Sequence, residues 1–345
     1  MNKNFTQQVM IKPGRARRMN ILLMVGIIGL LAAIGVSLIY GSTNMELKVV
    51  WEAVFAFNPQ LTEHQIIQEI RLPRALMAAL IGAYLSLSGA VMQALTRNPL
   101  AEPSLLGVSY GAAFALVVTL CFFPGLTSVA ASLVSMVGAG AAVLLVFSLA
   151  AISKGGAAPV KLALAGVAIG MFLSSLTSVI ALHFDVAKEL SFWYAGSLAG
   201  ADWTGLKMLL IVGAVGIPIV IILARPLTLL NLGVEVTQGL GINLRIINTL
   251  GIIAVLLLTG SSVAVSGTVG FVGLVIPHIS RMLVGSDYRC VLPIATVLGS
   301  LLLVIADVGS RMINPPYETP IGVITAAIGV PFFLYLVRSE GSRLG

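Results

Sequence analysis

Ser266-Gly-Thr-Val-Gly270-Phe-Val-Gly273-Leu-Val-Ile-Pro277-His278-Ile-Ser-Arg281 is apolar almost throughout, yet it makes a poor ordinary helix. Gly267, Gly270 and Gly273 interrupt it, and Pro277 removes a backbone donor near its end. A soluble core would leave the freed backbone groups without partners. A lipid-embedded bundle tolerates such a segment where neighbouring helices bury it, and interrupted segments of this kind line substrate paths in transporters. The stretch therefore predicts a short broken helix near the membrane midplane, with the rest of the chain as the bundle around it.

The composition agrees. Hydrophobic residues make up 58% of the 345 and charged residues 10%, against roughly 25% charged in an average soluble chain. Mean hydropathy is +1.04. A span takes about 20 apolar residues, so there is room for about ten spans and short loops, and none for a separate soluble domain. The predicted class is an all-α polytopic membrane protein. It divides into a basic tail over 1–20, one transmembrane domain over 21–338 and a second tail over 339–345. The net charge of +7 does not point to nucleic acid, because the basic residues sit at the ends of apolar runs, where they set topology. Cys121 and Cys290 have no spacing that suggests a metal site or a disulfide frame.

Spans are predicted near 21–40, 71–95, 105–123, 127–151, 160–182, 205–224, 247–265, 270–283, 292–313 and 320–337, the eighth being too short to cross as a plain helix. The first run is longer than the core of a signal peptide and lacks a clean cleavage site, so it reads as a retained span. Residues 41–69 form the longest hydrophilic connection. With the N-terminus inside, only Lys48, Arg71, Arg74, Lys188, Lys207 and Arg311 of the 20 lysines and arginines fall outside. That obeys the positive-inside rule and puts both termini in the cytoplasm.

Motifs for chemistry are missing. There is no Gly-Lys dipeptide, hence no phosphate-binding loop, and no His-Glu-x-x-His or Cys-x-x-Cys. No catalytic residue, cofactor or metal site is expected. An intramembrane enzyme lacks a nucleophile–base pair or metal triad. Asp307 is the main carboxylate at depth. It reads as a partner of Arg311 one turn later; the alternative is an ion-coupling site, as an ion-gradient-driven secondary transporter would need. His278 reads as a helix-end residue bonding a freed carbonyl, with a ligand or proton carrier as the alternative.

Residues 225–246 are too amphiphilic for a span and too apolar for a free loop. Leu229, Leu230, Leu232, Gly233 and the Gly239–Gly241 pair suggest one or two short helices on the inner surface. They rest on lipid or present apolar anchors to a cytoplasmic partner. Arg71, Arg74 and Arg311 oppose the charge bias. They are either solvated helix ends or a docking ring for an acidic extracytoplasmic partner.

Together these segments resemble the FecCD-type permease subunits of ABC importers for iron-siderophores and cobalamin. The resemblance runs from about Ile67 to Tyr335. It rests on Arg71-Leu-Pro-Arg74, on Arg97-Asn98-Pro99-Leu100-Ala101-Glu102-Pro103, on Gly270 through His278 with Arg281, on Asp307 with Arg311, on Glu318-Thr-Pro320-Ile-Gly322, and on Gly329-Val-Pro331-Phe-Phe-Leu-Tyr335. It implies the type II importer permease fold of the cobalamin permease, with ten spans per subunit. It also implies a second permease subunit, identical or related, two ATP-binding subunits inside, and a substrate-binding lipoprotein or periplasmic protein outside. On this likeness Arg71, Arg74 and Arg311 meet glutamates of the binding protein. Leu229, Leu232, Gly233, Gln238, Leu240 and Gly241 belong to the coupling loop seated in the ATPase. Asn98, Leu100, Pro159 and Val160 fall at the cytoplasmic gate. Leu190-Ser-Phe-Trp193-Tyr194 and Ser286-Asp287-Tyr288 look most like permeases for ferric hydroxamates, with cobalamin or haem as the alternative cargo.

Overall fold

The computed structural model describes residues 13–41, 43–152, 159–315 and 317–341. Among them there is helix and loop and no strand. We number the principal helices α1 Pro13–Ile39, α2 Leu47–Phe55, α3 Leu72–Thr96, α4 Val108–Phe122, α5 Ser128–Ile152, α6 Pro159–His183, α7 Ala187–Ala195, α8 Trp203–Leu230, α9 Val234–Gly239, α10 Leu244–Ser266, α11 Val272–Val284, α12 Tyr288–Met312 and α13 Ile321–Gly341. Among the described residues, seven helical stretches, those carrying α1, α3, α5, α6, α8, α10 and α12, are long and apolar enough to cross a membrane. The apolar parts of α4, α11 and α13 are shorter. At 15 and 13 residues, α4 and α11 extend only about 20 Å, less than a hydrocarbon core of about 30 Å.

The centre is α3. Nineteen of its residues are buried, and α10, α11, α12 and α8 pack around it. It approaches two of them backbone to backbone: a Cβ on Gly89 would strike the Gly273 carbonyl of α11, and one on Gly82 would strike Gly299 of α12. Close backbone approach between membrane helices needs such small residues.

Several boundaries differ from the sequence reading. The first helix begins at Pro13, so much of the predicted basic tail is helical, and α13 runs to Gly341 rather than stopping at 338. The hydrophilic connection 41–69 folds: α2 and the turns Thr62–Gln65 and Ile66–Arg71 lead into α3. Val50 and Ala53 anchor α2, while Leu47, Trp51 and Phe55 face outward. The break in the opening stretch lies at 267–271, between α10 and α11. Gly273 and Pro277 sit inside α11. Gly273 is there for its contact with Gly89 and not as an interruption. Gly267, with φ +68°, does interrupt the chain: its amide closes the last turn of α10, and a Cβ there would collide with Trp193.

Candidate functional site

Three places in the bundle carry the candidate residues. The first is the end where α1 and α12 finish and α3 begins. Arg71, Arg74 and Arg311 do come together there, but they are 5%, 5% and 6% exposed. The expectation of solvated arginines is corrected. Arg74 donates from Nε to Asp307 at 2.9 Å and grips Glu318 with both terminal nitrogens, at 2.7 and 2.9 Å. Arg311 lies 3.1 Å from the other Asp307 oxygen, close enough for Coulombic pairing, and donates to the Ser37 hydroxyl at 2.7 Å. Arg71 donates to the carbonyls of Leu38 and Ile39 and to Thr43. Burial demands this, because an unpaired charge there would be very costly. Within the cluster itself, three guanidiniums meet two carboxylates, an excess of one positive charge. Asp307 pairs with Arg311 as its spacing predicts; Arg74 is the partner that spacing alone could not reveal.

The second place is the middle of the bundle. The segments that follow the C-terminal ends of α3 and α10 meet: the Phe271 amide donates to the Glu102 carboxylate at 3.1 Å. Both segments therefore run into the depth of the bundle, and α4 and α11 start there. Phe271 takes a left-handed φ of +67° and packs against Gly329 of α13. A carboxylate at the start of α11 also suits the positive end of that helix. A cavity of about 340 Å³ opens here, lined by Glu102, Tyr110, Met171, Tyr194 and Gly270 among others.

Pro277 leaves the carbonyl of Gly273 without its helical donor. Gln93 of α3 supplies one, donating to Gly273 and to Leu274 at 3.2 Å each. Gln93 thus meets the carbonyl that Pro277 frees. His278 lies edge-on to Phe332 of α13, with ring centres 6.0 Å apart.

The third place is the opposite end. Arg225, predicted as the start of a loop, belongs to α8, which continues to Leu230. The projecting part is narrower than 225–246: it is α9 between Gly233 (φ +120°) and Gly241 (φ +78°). Thr237 is buried and bonds the Gly233 carbonyl at 2.7 Å, which pins the short helix. Leu232, just before α9, and Val236 and Leu240, one turn apart, are 65%, 47% and 45% exposed. Gln238 and Gly241 are exposed beside them, and Leu229 is half-buried. Nearby, Arg97 ends α3 in a left-handed conformation, and Asn98 accepts the Leu100 amide at 2.9 Å. Pro159 and Val160 open α6; their side chains lie outside the described residues.

The comparisons with known proteins bear on this architecture. Residues 29–339 match the model of the FecCD transport family. The chain belongs to that family. It is 48% identical to the iron(3+)-hydroxamate import system permease FhuB of Bacillus subtilis, over 93% of this chain and 83% of that one. It is 42% identical to the iron-uptake permease FeuB of the same organism, over 89% and 92%. It is 40% identical to the ferric enterobactin permease FepD of Escherichia coli, over 90% and 93%. Among solved structures, an inward-facing metal-chelate type ABC transporter superposes with a TM-score of 0.80 at 30% identity, covering 92% of this chain and 98% of that one. The family places the chain among multi-pass transport permeases, with the all-helical importer fold that its sequence predicts.

Proposed function

We propose that this chain is the permease subunit of an ABC importer that carries ferric siderophore, of the hydroxamate type, into the cytoplasm. The observation that carries the reading is the 48% identity to a ferric hydroxamate permease over 93% of the chain. The N-terminus lies inside a bacterial cytoplasmic membrane, which puts α9 on the cytoplasmic face. Separate ATP-binding subunits engage Leu232, Val236 and Leu240, and their closure moves α8 and α10 and, through them, the segment around Asn98 and Leu100. At the outer end, the uncompensated positive charge of the arginine cluster favours an acidic substrate-binding protein. A second permease subunit completes the path, and the cavity beside Glu102 lies along it, since a carboxylate opening toward lipid would be costly.

Asp307 argues against an ion-gradient transporter. Two guanidiniums hold it, so it has no freedom to load and release a coupling ion. Deleting the gene in its host and supplying iron-55 as ferric hydroxamate, ferric citrate or ferric catecholate tests the cargo. Uptake of the hydroxamate alone is expected to fall. Loss of another chelate with the hydroxamate untouched would reassign it.

A further inference from the structure

Between α9 and the end of α3 lies a cavity of about 320 Å³ that none of the roles above uses. Its lining includes Gln93, Arg97, Pro99, Asn231, Leu232 and Arg281. Among the described residues, two guanidiniums and no Asp or Glu line it. Two of its polar atoms are buried without a hydrogen-bond partner: the Arg281 Nη2 and the Gln93 Oε1. Gln93 itself is 3% exposed, so its amide is held by Gly273 and Leu274 and cannot turn away. Tyr288, Asn231 and Arg281 line the same wall of the cavity. Asp287, the neighbour of Tyr288 in the chain, is already paired with Arg289.

A buried donor left without an acceptor is expensive, and a rigid guanidinium is shaped for a carboxylate. We infer that this cavity receives an acidic side chain of the ATP-binding subunit, which enters beside Leu232 and pairs with Arg281 and Arg97. The inference rests on the permease reading above and adds to it the anchor of the coupling contact. Leu232 belongs both to the apolar stripe and to the cavity wall, so the two surfaces are continuous. The position has a mechanical consequence. Arg281 is on α11, Arg97 and Pro99 belong to the segment leading to the gate residues, and Leu232 and Gly233 lead into α9. One acidic side chain here touches all three elements, so a pull on it is transmitted to the gate segment as well as to α9.

The test is the affinity of the detergent-solubilised permease for its cognate ATP-binding subunit, measured across a series of NaCl concentrations. R281Q is expected to weaken binding at least about tenfold and to flatten its salt dependence, with R281K recovering part of both. R97Q, at an exposed position where folding is not at risk, is expected to flatten the salt dependence too. L232E is expected to lose affinity through the apolar stripe. Wild-type affinity and salt dependence in both R281Q and R97Q would overturn the inference and leave the permease reading standing. Failure of the wild-type chain to bind any ATP-binding subunit would overturn both.

Discussion

The side-chain amide of Gln93 lies 3.2 Å from the carbonyl of Gly273, the acceptor that Pro277 deprives of its own helical donor. One residue on the central helix therefore repairs the backbone defect of another helix.

The repair predicts a coupling between positions 93 and 277. Q93L should destabilise the chain by about 1–3 kcal/mol, the cost of an unsatisfied buried carbonyl. In a P277A background the restored amide bonds Gly273, and the same change should cost about 1 kcal/mol less. Thermal unfolding of the four variants in detergent measures the cycle. Equal costs in the two backgrounds would show that Gln93 does not serve Gly273.

The arginine cluster should behave as a structural lock. R74A leaves Asp307 buried with less compensation and should cost about 3–5 kcal/mol. E318Q removes a partner whose side chain is 36% exposed and should cost no more than about 1 kcal/mol. It also frees part of the Arg74 fork for an acidic partner, so binding-protein affinity should hold or rise. Reversing all three arginines would mainly unfold the chain, which makes E318Q the cleaner probe of docking. A fall in binding-protein affinity with E318Q would count against an arginine-centred contact.

At the coupling surface, L240E replaces an exposed side chain and should leave thermal stability within about 0.5 kcal/mol of wild type. Binding of the ATP-binding subunit should drop at least about tenfold, as for loss of an apolar anchor. Intact binding with L240E would move the coupling contact elsewhere.

Asp287 gives a pH dependence. Burial alone would raise its carboxyl, but bonds from Arg289 and Thr228 outweigh burial and hold it below the ordinary range. Those bonds fasten the start of α12 to the end of α8. Their contribution is complete above the unfolded value of about 3.9 and is lost as pH falls through the lower folded value. Wild type should therefore lose more stability than D287N on going from pH 6 to pH 3. Parallel acid losses in the two chains would contradict this.

Much of this was legible in the sequence, and the parts that were not share a cause. The ten apolar stretches, the short eighth helix and the Asp307–Arg311 pair are local patterns, set by hydropathy and helical spacing. The Arg74–Asp307 and Gln93–Gly273 contacts join residues far apart in the chain, and no periodicity announces them. Gly273 shows the ambiguity directly: a glycine in an apolar run can mark a break or a crossing, and only the approach of Gly89 decides. The burial of the three arginines was hidden for the same reason, because their partners come from α1, from α12 and from the segment before α13. Glu102 stood in a quoted motif, but its role depends on Phe271, 169 residues away.

Uptake of radiolabelled ferric hydroxamate into sealed proteoliposomes is the most direct measurement. With the binding protein outside and the ATP-binding subunit and ATP within, the chain should accumulate label. With the permease alone, under a proton or sodium gradient, label should stay outside. Gradient-driven accumulation by the permease alone would contradict the account that its motive force comes from a partner.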